Sequence, residues 1–162
     1  MTAKTSTVPT TSLDPDVVAG VAQFLSPVVV NLQALAIDGK QAHWHVRGTN
    51  FIGVHELLDD VVAHAQEFAD LAAERIVALG LPVDARVQTV AAKSTLPALA
   101  DGFQQSDATI AQVIAQIDAT LEVVRTAIEE LDEVDLTSQD VAIEIARGLE
   151  KDRWFLFAHI AN

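Results

Sequence analysis

The sequence predicts an all-α protein: a four-helix bundle with a long crossover link, carrying a short helix, between its second and third helices. Three observations predict it. Four long segments repeat apolar residues at the spacing of one helix face, and strand alternation is absent. Half of the 162 residues are hydrophobic, while glycine (7) and proline (5) are few, which is the composition of a helical bundle. The segment between the second and third patterns is too long for a tight hairpin and suits a connection running along the bundle.

The elements follow in order. Residues 1–14 read as a flexible, Thr/Ser-rich polar tail, and residues 15–162 as one domain large enough for a sizeable core. Asp14-Pro15 is an N-cap followed by proline in the first turn, and the helix it starts runs to about His45. Pro27 marks a kink or a break within it. Arg47 to Asn50 is a short loop. The second helix runs from about Gly53 to Leu79 and stops at Gly80-Leu81-Pro82, a glycine C-cap followed by proline. Leu81 to Gln104 is the crossover link. The third helix, about Phe103 to Glu133, repeats Ile110, Val113, Ile114, Ile117, Leu121, Val124 and Ile128. The fourth starts at a Thr137/Ser138 cap and ends near Ala161, with Ile143, Ala146, Leu149, Trp154, Phe157 and Ile160 as its apolar positions.

Composition also excludes functions. There is no cysteine, so disulfide, zinc-thiolate and iron–sulfur chemistry are ruled out, and a metal site must use histidine and carboxylates. A net charge of −13 opposes binding to DNA phosphates or anionic lipid and attracts cations. The tail carries only Lys4 and lacks the apolar core of a signal peptide, which reads as a cytoplasmic protein. The most apolar stretch, Val17 to Ile37, is interrupted by Gln23, Ser26, Pro27, Asn31 and Gln33, so no segment is expected to span a membrane.

The chemistry-bearing residues are His43, His55, Asp59, Asp70 and Glu74. His55–Asp59 and Asp70–Glu74 are two i,i+4 pairs on the second helix, so each pair presents two metal donors in one direction. His55 and Asp70 are separated by about 22 Å of helix, far too wide for one metal centre. Either these are separate half-sites or a second copy of the chain completes each one. Two copies of the helix laid antiparallel about an axis between His64 and Ala65 bring His55 opposite the partner's Glu74, and Asp59 opposite the partner's Asp70. Both pairs match under one operator, as an isologous interface requires. Ala63 and Ala73 lie on the same arc and permit close approach. The apolar stripe Leu58, Val61, Val62, Ala65, Ala69, Ala72 and Ile76 lies on another side.

His43-Trp44, the loop ending at Phe51, His55-x-x-x-Asp59 and Asp70-x-x-x-Glu74-Arg75 together resemble the signature of the Dps proteins, the miniferritins of the ferritin-like superfamily. The resemblance extends from about Ala22 to Trp154-Phe155-Leu156. It implies that His43, His55 and Asp59 of one subunit, with Asp70 and Glu74 of its two-fold mate, form an inter-subunit ferroxidase site, with Trp44 beside it. It further implies a hollow dodecamer that oxidises Fe(II) with hydrogen peroxide or oxygen, at sites where two irons are possible, and stores ferric mineral against oxidative damage. Acidic residues near the start of the last helix would line an iron-entry pore, and Asp135, Asp140 and Glu144 match that placement best. The chain departs from the family name in one respect: its acidic balance and nearly lysine-free tail predict weak or absent DNA binding.

Other readings stand beside these. No Glu-x-x-His occurs, which argues against a di-iron site inside one bundle. A metal-dependent amide or ester hydrolase is the alternative, since His55-Glu56-x-x-Asp59 has the look of a zinc-protease motif with its second histidine replaced. Trp44 taken alone reads as core. His64 lies off the ligand arc and reads as solvent-facing or structural, His159 reads as structural, and His45 neighbours the site but points elsewhere.

Overall fold

In the computed structural model, which describes residues 8–161, the elements run α1 (Pro15–His45), β1 (Val46–Arg47), α2 (Phe51–Ala78), α3 (Val87–Lys93), β2 (Gln104–Gln105), α4 (Ser106–Leu131) and α5 (Leu136–Ala158). The expected all-α four-helix bundle is present, with α3 as the short helix of the crossover link. Lys4 and the first half of the expected tail lie outside the described residues. Of the second half, Leu13 packs against the core and Thr10 lies against Gly80.

Helix α1 starts where its cap predicts: Asp14 accepts from the Asp16 amide at 2.8 Å. Of the kink or break expected at Pro27, the break does not occur: the helix continues through it for 31 residues. Pro27 and Gln23 lie one turn apart and are both exposed, so the Gln23 carbonyl that loses its helical donor faces water. Ser26 donates to the Ala22 carbonyl at 2.5 Å beside it. The helix contains a window of mean hydropathy 1.5, long and apolar enough to cross a membrane, against the expectation that none qualifies. Half of that window is buried within the bundle, and Leu25, Val28, Leu32 and Leu35 are core residues.

The stripe predicted for α2 is buried throughout, from Leu58 at 0% exposure to Val62 at 8%. Its C-terminus closes as a Schellman motif: Gly80 at φ +97 donates to Val77 and Leu81 donates to Ile76. Replacing Leu58 with alanine would cost about 2–5 kcal/mol through the cavity it leaves. α1 packs mainly on α2 and α4, and α5 on α4 and α2. The link is tied across this core by two buried amides. Asn31 donates to Thr95 Oγ1 at 2.7 Å and accepts the Thr95 amide at 3.0 Å. Gln116 donates to Asp38 Oδ2 and to the Pro97 carbonyl at 2.7 and 2.8 Å. The ends of the link and of α1 also pair: β1 and β2 form a parallel two-residue ladder, Val46 with Gln104, too short to leave an alternating pattern.

Two expectations for the last helix are corrected. The N-cap of α5 is Asp135 rather than Thr137 or Ser138, and its Oδ2 accepts both the amide and the hydroxyl of Ser138, at 2.9 and 2.5 Å. A carboxylate is the stronger acceptor for helix-end amides, so the serine becomes its donor. The buried stripe runs through Ala142, Ile145, Leu149, Asp152 and Leu156, whereas Trp154 and Phe157 are 64% and 49% exposed. Asp152 sits inside the stripe because His64 of α2 binds it, Nδ1 to Oδ1 at 2.9 Å and to Oδ2 at 3.0 Å. Gly148 lies against Phe68, whose ring would stand 2.1 Å from any Cβ there.

Candidate metal centre

The end of α1 and the first three turns of α2 bring three of the predicted donors together. α1's last turn leaves carbonyls without helical amide partners. The Ala42 carbonyl takes the Val46 amide, and the His43 carbonyl accepts from His55 Nδ1 at 2.9 Å. In return His43 Nδ1 donates to the His55 carbonyl at 2.7 Å. The two rings stack with centroids 3.6 Å apart and planes 22° apart. With Nδ1 of each ring engaged on a carbonyl, Nε2 is the nitrogen left to bind a metal. His43 is buried at 7% exposure, and Phe51 flanks His55 at 5.1 Å between centroids.

Asp59 Oδ1 lies 3.4 Å from His43 Nδ1, close but beyond hydrogen-bond geometry. Its stronger partner is Lys40, whose Nζ donates to the same oxygen. That hydrogen bond holds the Asp59 carboxyl below the usual carboxylate range, against an opposing effect of burial. Lys40 escapes notice in the sequence because its role is a contact between helices. The available signal is its position three residues before His43, on the same face of α1.

Asp70 and Glu74 are exposed further along α2 and do not join the other three within the subunit. Among the described residues, no three His, Asp or Glu side chains of one chain converge on a single cation position. Beside Asp59, α1 and α2 leave an open groove of about 700 Å³, lined by Lys40, Trp44, Ala63 and Gln66. Trp44 is 62% exposed there, so its reading as a core residue is corrected. It stands at the end of a helix whose buried side is already filled by Ala42 and His43.

The remaining singled-out residues separate by environment. His64 is structural, through Asp152. Burial pushes the Asp152 carboxyl up, and the hydrogen bond from His64 partly offsets this. His45 contacts Gln41 at 3.0 Å and the Phe103 ring. His159 Nδ1 accepts from Asn50 Nδ2 at 2.7 Å. Asp135, besides capping α5, receives Arg75 Nη2 at 2.7 Å. Burial raises its carboxyl, but hydrogen bonds from Ser138 and Arg75 outweigh that and hold it below the usual range. Asp140 and Glu144, its companions in the expected pore, are exposed on α5.

Four long helices with a crossover link between the second and third define the ferritin-like class of helical bundle. Residues 24–162 match the ferritin-like domain family. A DNA protection during starvation protein of Mycolicibacterium smegmatis is 34% identical over 88% of this chain and 78% of its own. One from Agrobacterium fabrum is 33% identical over 85% of each chain. A third, DNA protection during starvation protein 2 of Deinococcus radiodurans, is 33% identical, and the match spans 58% of that longer relative. Among solved structures, Dps from Microbacterium arborescens in its high iron form superposes with a TM-score of 0.89 at 62% identity, covering 92% of this chain and 97% of the other. The chain belongs to the ferritin-like family and, within it, to the Dps proteins.

Proposed function

We infer that the protein is a miniferritin that oxidises Fe(II) at sites shared between two-fold-related subunits and stores the ferric product inside a hollow dodecamer. The observation that carries this is the split donor set. His43, His55 and Asp59 adjoin where α1 meets α2, while Asp70 and Glu74 stand exposed further along α2, and among the described residues no three such side chains of one chain form a cation site. An antiparallel pairing of α2 about His64 and Ala65 closes both gaps with one operator. The groove lined by Ala63 and Gln66 borders the α2 face that such a pairing covers. The high iron form of the Microbacterium arborescens relative supports iron as the cargo.

Iron is substrate here. Imidazole and carboxylate ligands suit Fe(II), and carboxylates stabilise the Fe(III) that forms. Two Fe(II) each give one electron to one hydrogen peroxide. With two waters the products are two FeOOH and four protons, so peroxide is consumed without releasing a hydroxyl radical. Trp44 would flank the site, and the locked rings of His43 and His55 would hold their Nε2 atoms ready without reorganisation. Asp140 and Glu144 would draw cations toward an entry pore by their charge, with Asp135 engaged by Arg75 at its edge. Iron uptake insensitive to ionic strength would contradict that role. No observation favours the hydrolase alternative, whose Glu56 is exposed. A cytoplasmic setting, with no membrane partner, fits this iron chemistry.

The test is Fe(II) oxidation by the assembled double variant His43→Ala/His55→Ala, followed by absorbance of the ferric product. The reading requires loss of fast oxidation with the shell intact, and wild-type kinetics would sink it.

A further inference from the structure

Lys40 is the one cationic side chain among the described residues that line the groove at the metal centre. Its Nζ crosses from α1 to α2 and bonds Asp59 Oδ1, the same oxygen that faces His43 Nδ1. The carboxylate is thereby turned to an ammonium group, and the three adjoining donors do not converge on one cation position. A divalent cation bound by Asp59 would stand beside that ammonium at contact distance, where like charges repel strongly. The Lys40 side chain is 37% exposed and its ammonium rides on a flexible stem, so it is free to withdraw into water.

We propose that Lys40 is a displaceable counter-ion of the metal site: it occupies Asp59 while the site is empty, is expelled by the arriving cation, and so lowers the site's affinity. Lys40 is a positioning residue in this account. It acts through Asp59 and touches no iron. The proposal rests on the reading that His43, His55 and Asp59 are metal ligands. It adds a property that ligand identity alone does not give, namely that metal and lysine compete for one carboxylate.

The experiment uses the intact oligomer and the metal alone, so no turnover is needed. Zn(II) is titrated calorimetrically, and Co(II) by its visible absorption, into wild type, Lys40→Met, Lys40→Arg and His55→Ala. Lys40→Met keeps the stem and removes the competitor, and should bind Zn(II) roughly three- to tenfold more tightly. Added salt should narrow that gap as it screens the wild-type repulsion. Lys40→Arg keeps the charge and should bind at wild-type affinity or more weakly, which tests the same claim should Lys40→Met fail to assemble. Unchanged or weaker binding by Lys40→Met, or tighter binding by Lys40→Arg, while His55→Ala binds more weakly than wild type, overturns the role of Lys40 and leaves the ligand set standing. Zn(II) bound by His55→Ala as tightly as by wild type overturns the ligand set itself.

Discussion

His43 and His55 brace each other: each ring's Nδ1 bonds the other residue's backbone carbonyl, at 2.7 and 2.9 Å. The same two contacts therefore orient the two candidate imidazole ligands and join the end of α1 to the start of α2. His55→Ala should lower the unfolding free energy by about 1–2 kcal/mol, because it removes the donor that caps the His43 carbonyl and the ring stacked on His43. Urea unfolding of the metal-free protein reads this directly. Wild-type stability in the variant would mean that the bonds orient the rings without holding the helices.

Arg75 bonds Asp135 and, through Nε, Ser138 Oγ at 2.9 Å, pinning the end of α2 to the start of α5. Because the folded Asp135 carboxyl lies below its unfolded value, its contribution is complete above about pH 4 and is lost as pH falls through the lower, folded value. Arg75→Met should cost about 1–2 kcal/mol at neutral pH. The gap to wild type should narrow at acid pH, once the pH falls through that folded value and protonation removes the carboxylate from both proteins. Unfolding curves at the two pH values make the comparison, and an equal gap at both would refute a charge origin.

Ala63 is exposed in the single chain and lies where the antiparallel α2 helices would approach. Ala63→Arg should keep the helical circular dichroism of wild type, shift sedimentation toward smaller species, and slow Fe(II) oxidation by about tenfold or more as the shared sites come apart. A variant that stays fully assembled with wild-type oxidation would place the interface elsewhere.

A net charge of −13 per chain opposes association with DNA phosphates. Duplex DNA should migrate unretarded with the metal-free protein at physiological salt in a gel shift. Retention would show that a local feature overrides the net charge.

Much of this was legible in the sequence, for a physical reason. On α2 the apolar stripe and the donor arc occupy different faces, so Leu58, Val61 and Ala65 could be read independently of Asp59 and Asp70. On α5 the two signals are mixed. Asp152 is buried beside Leu149 and Leu156 because His64 pairs with it, and Trp154 and Phe157 look like core yet are exposed. The continuity of α1 through Pro27 depends on which side of the helix faces water, and the Lys40–Asp59 contact on how two helices cross. Neither is a property of local sequence.

The central claim is that each site takes ligands from two chains, and subunit mixing tests it most directly. His43→Ala/His55→Ala and Asp70→Ala/Glu74→Ala chains should each be inactive alone. Denatured together in equal amounts and refolded, half of the two-fold pairs would be mixed. Each mixed pair would hold one complete site and one doubly defective site, so the account predicts recovery of about a quarter of wild-type Fe(II) oxidation. A co-assembled mixture as inactive as either parent would contradict it.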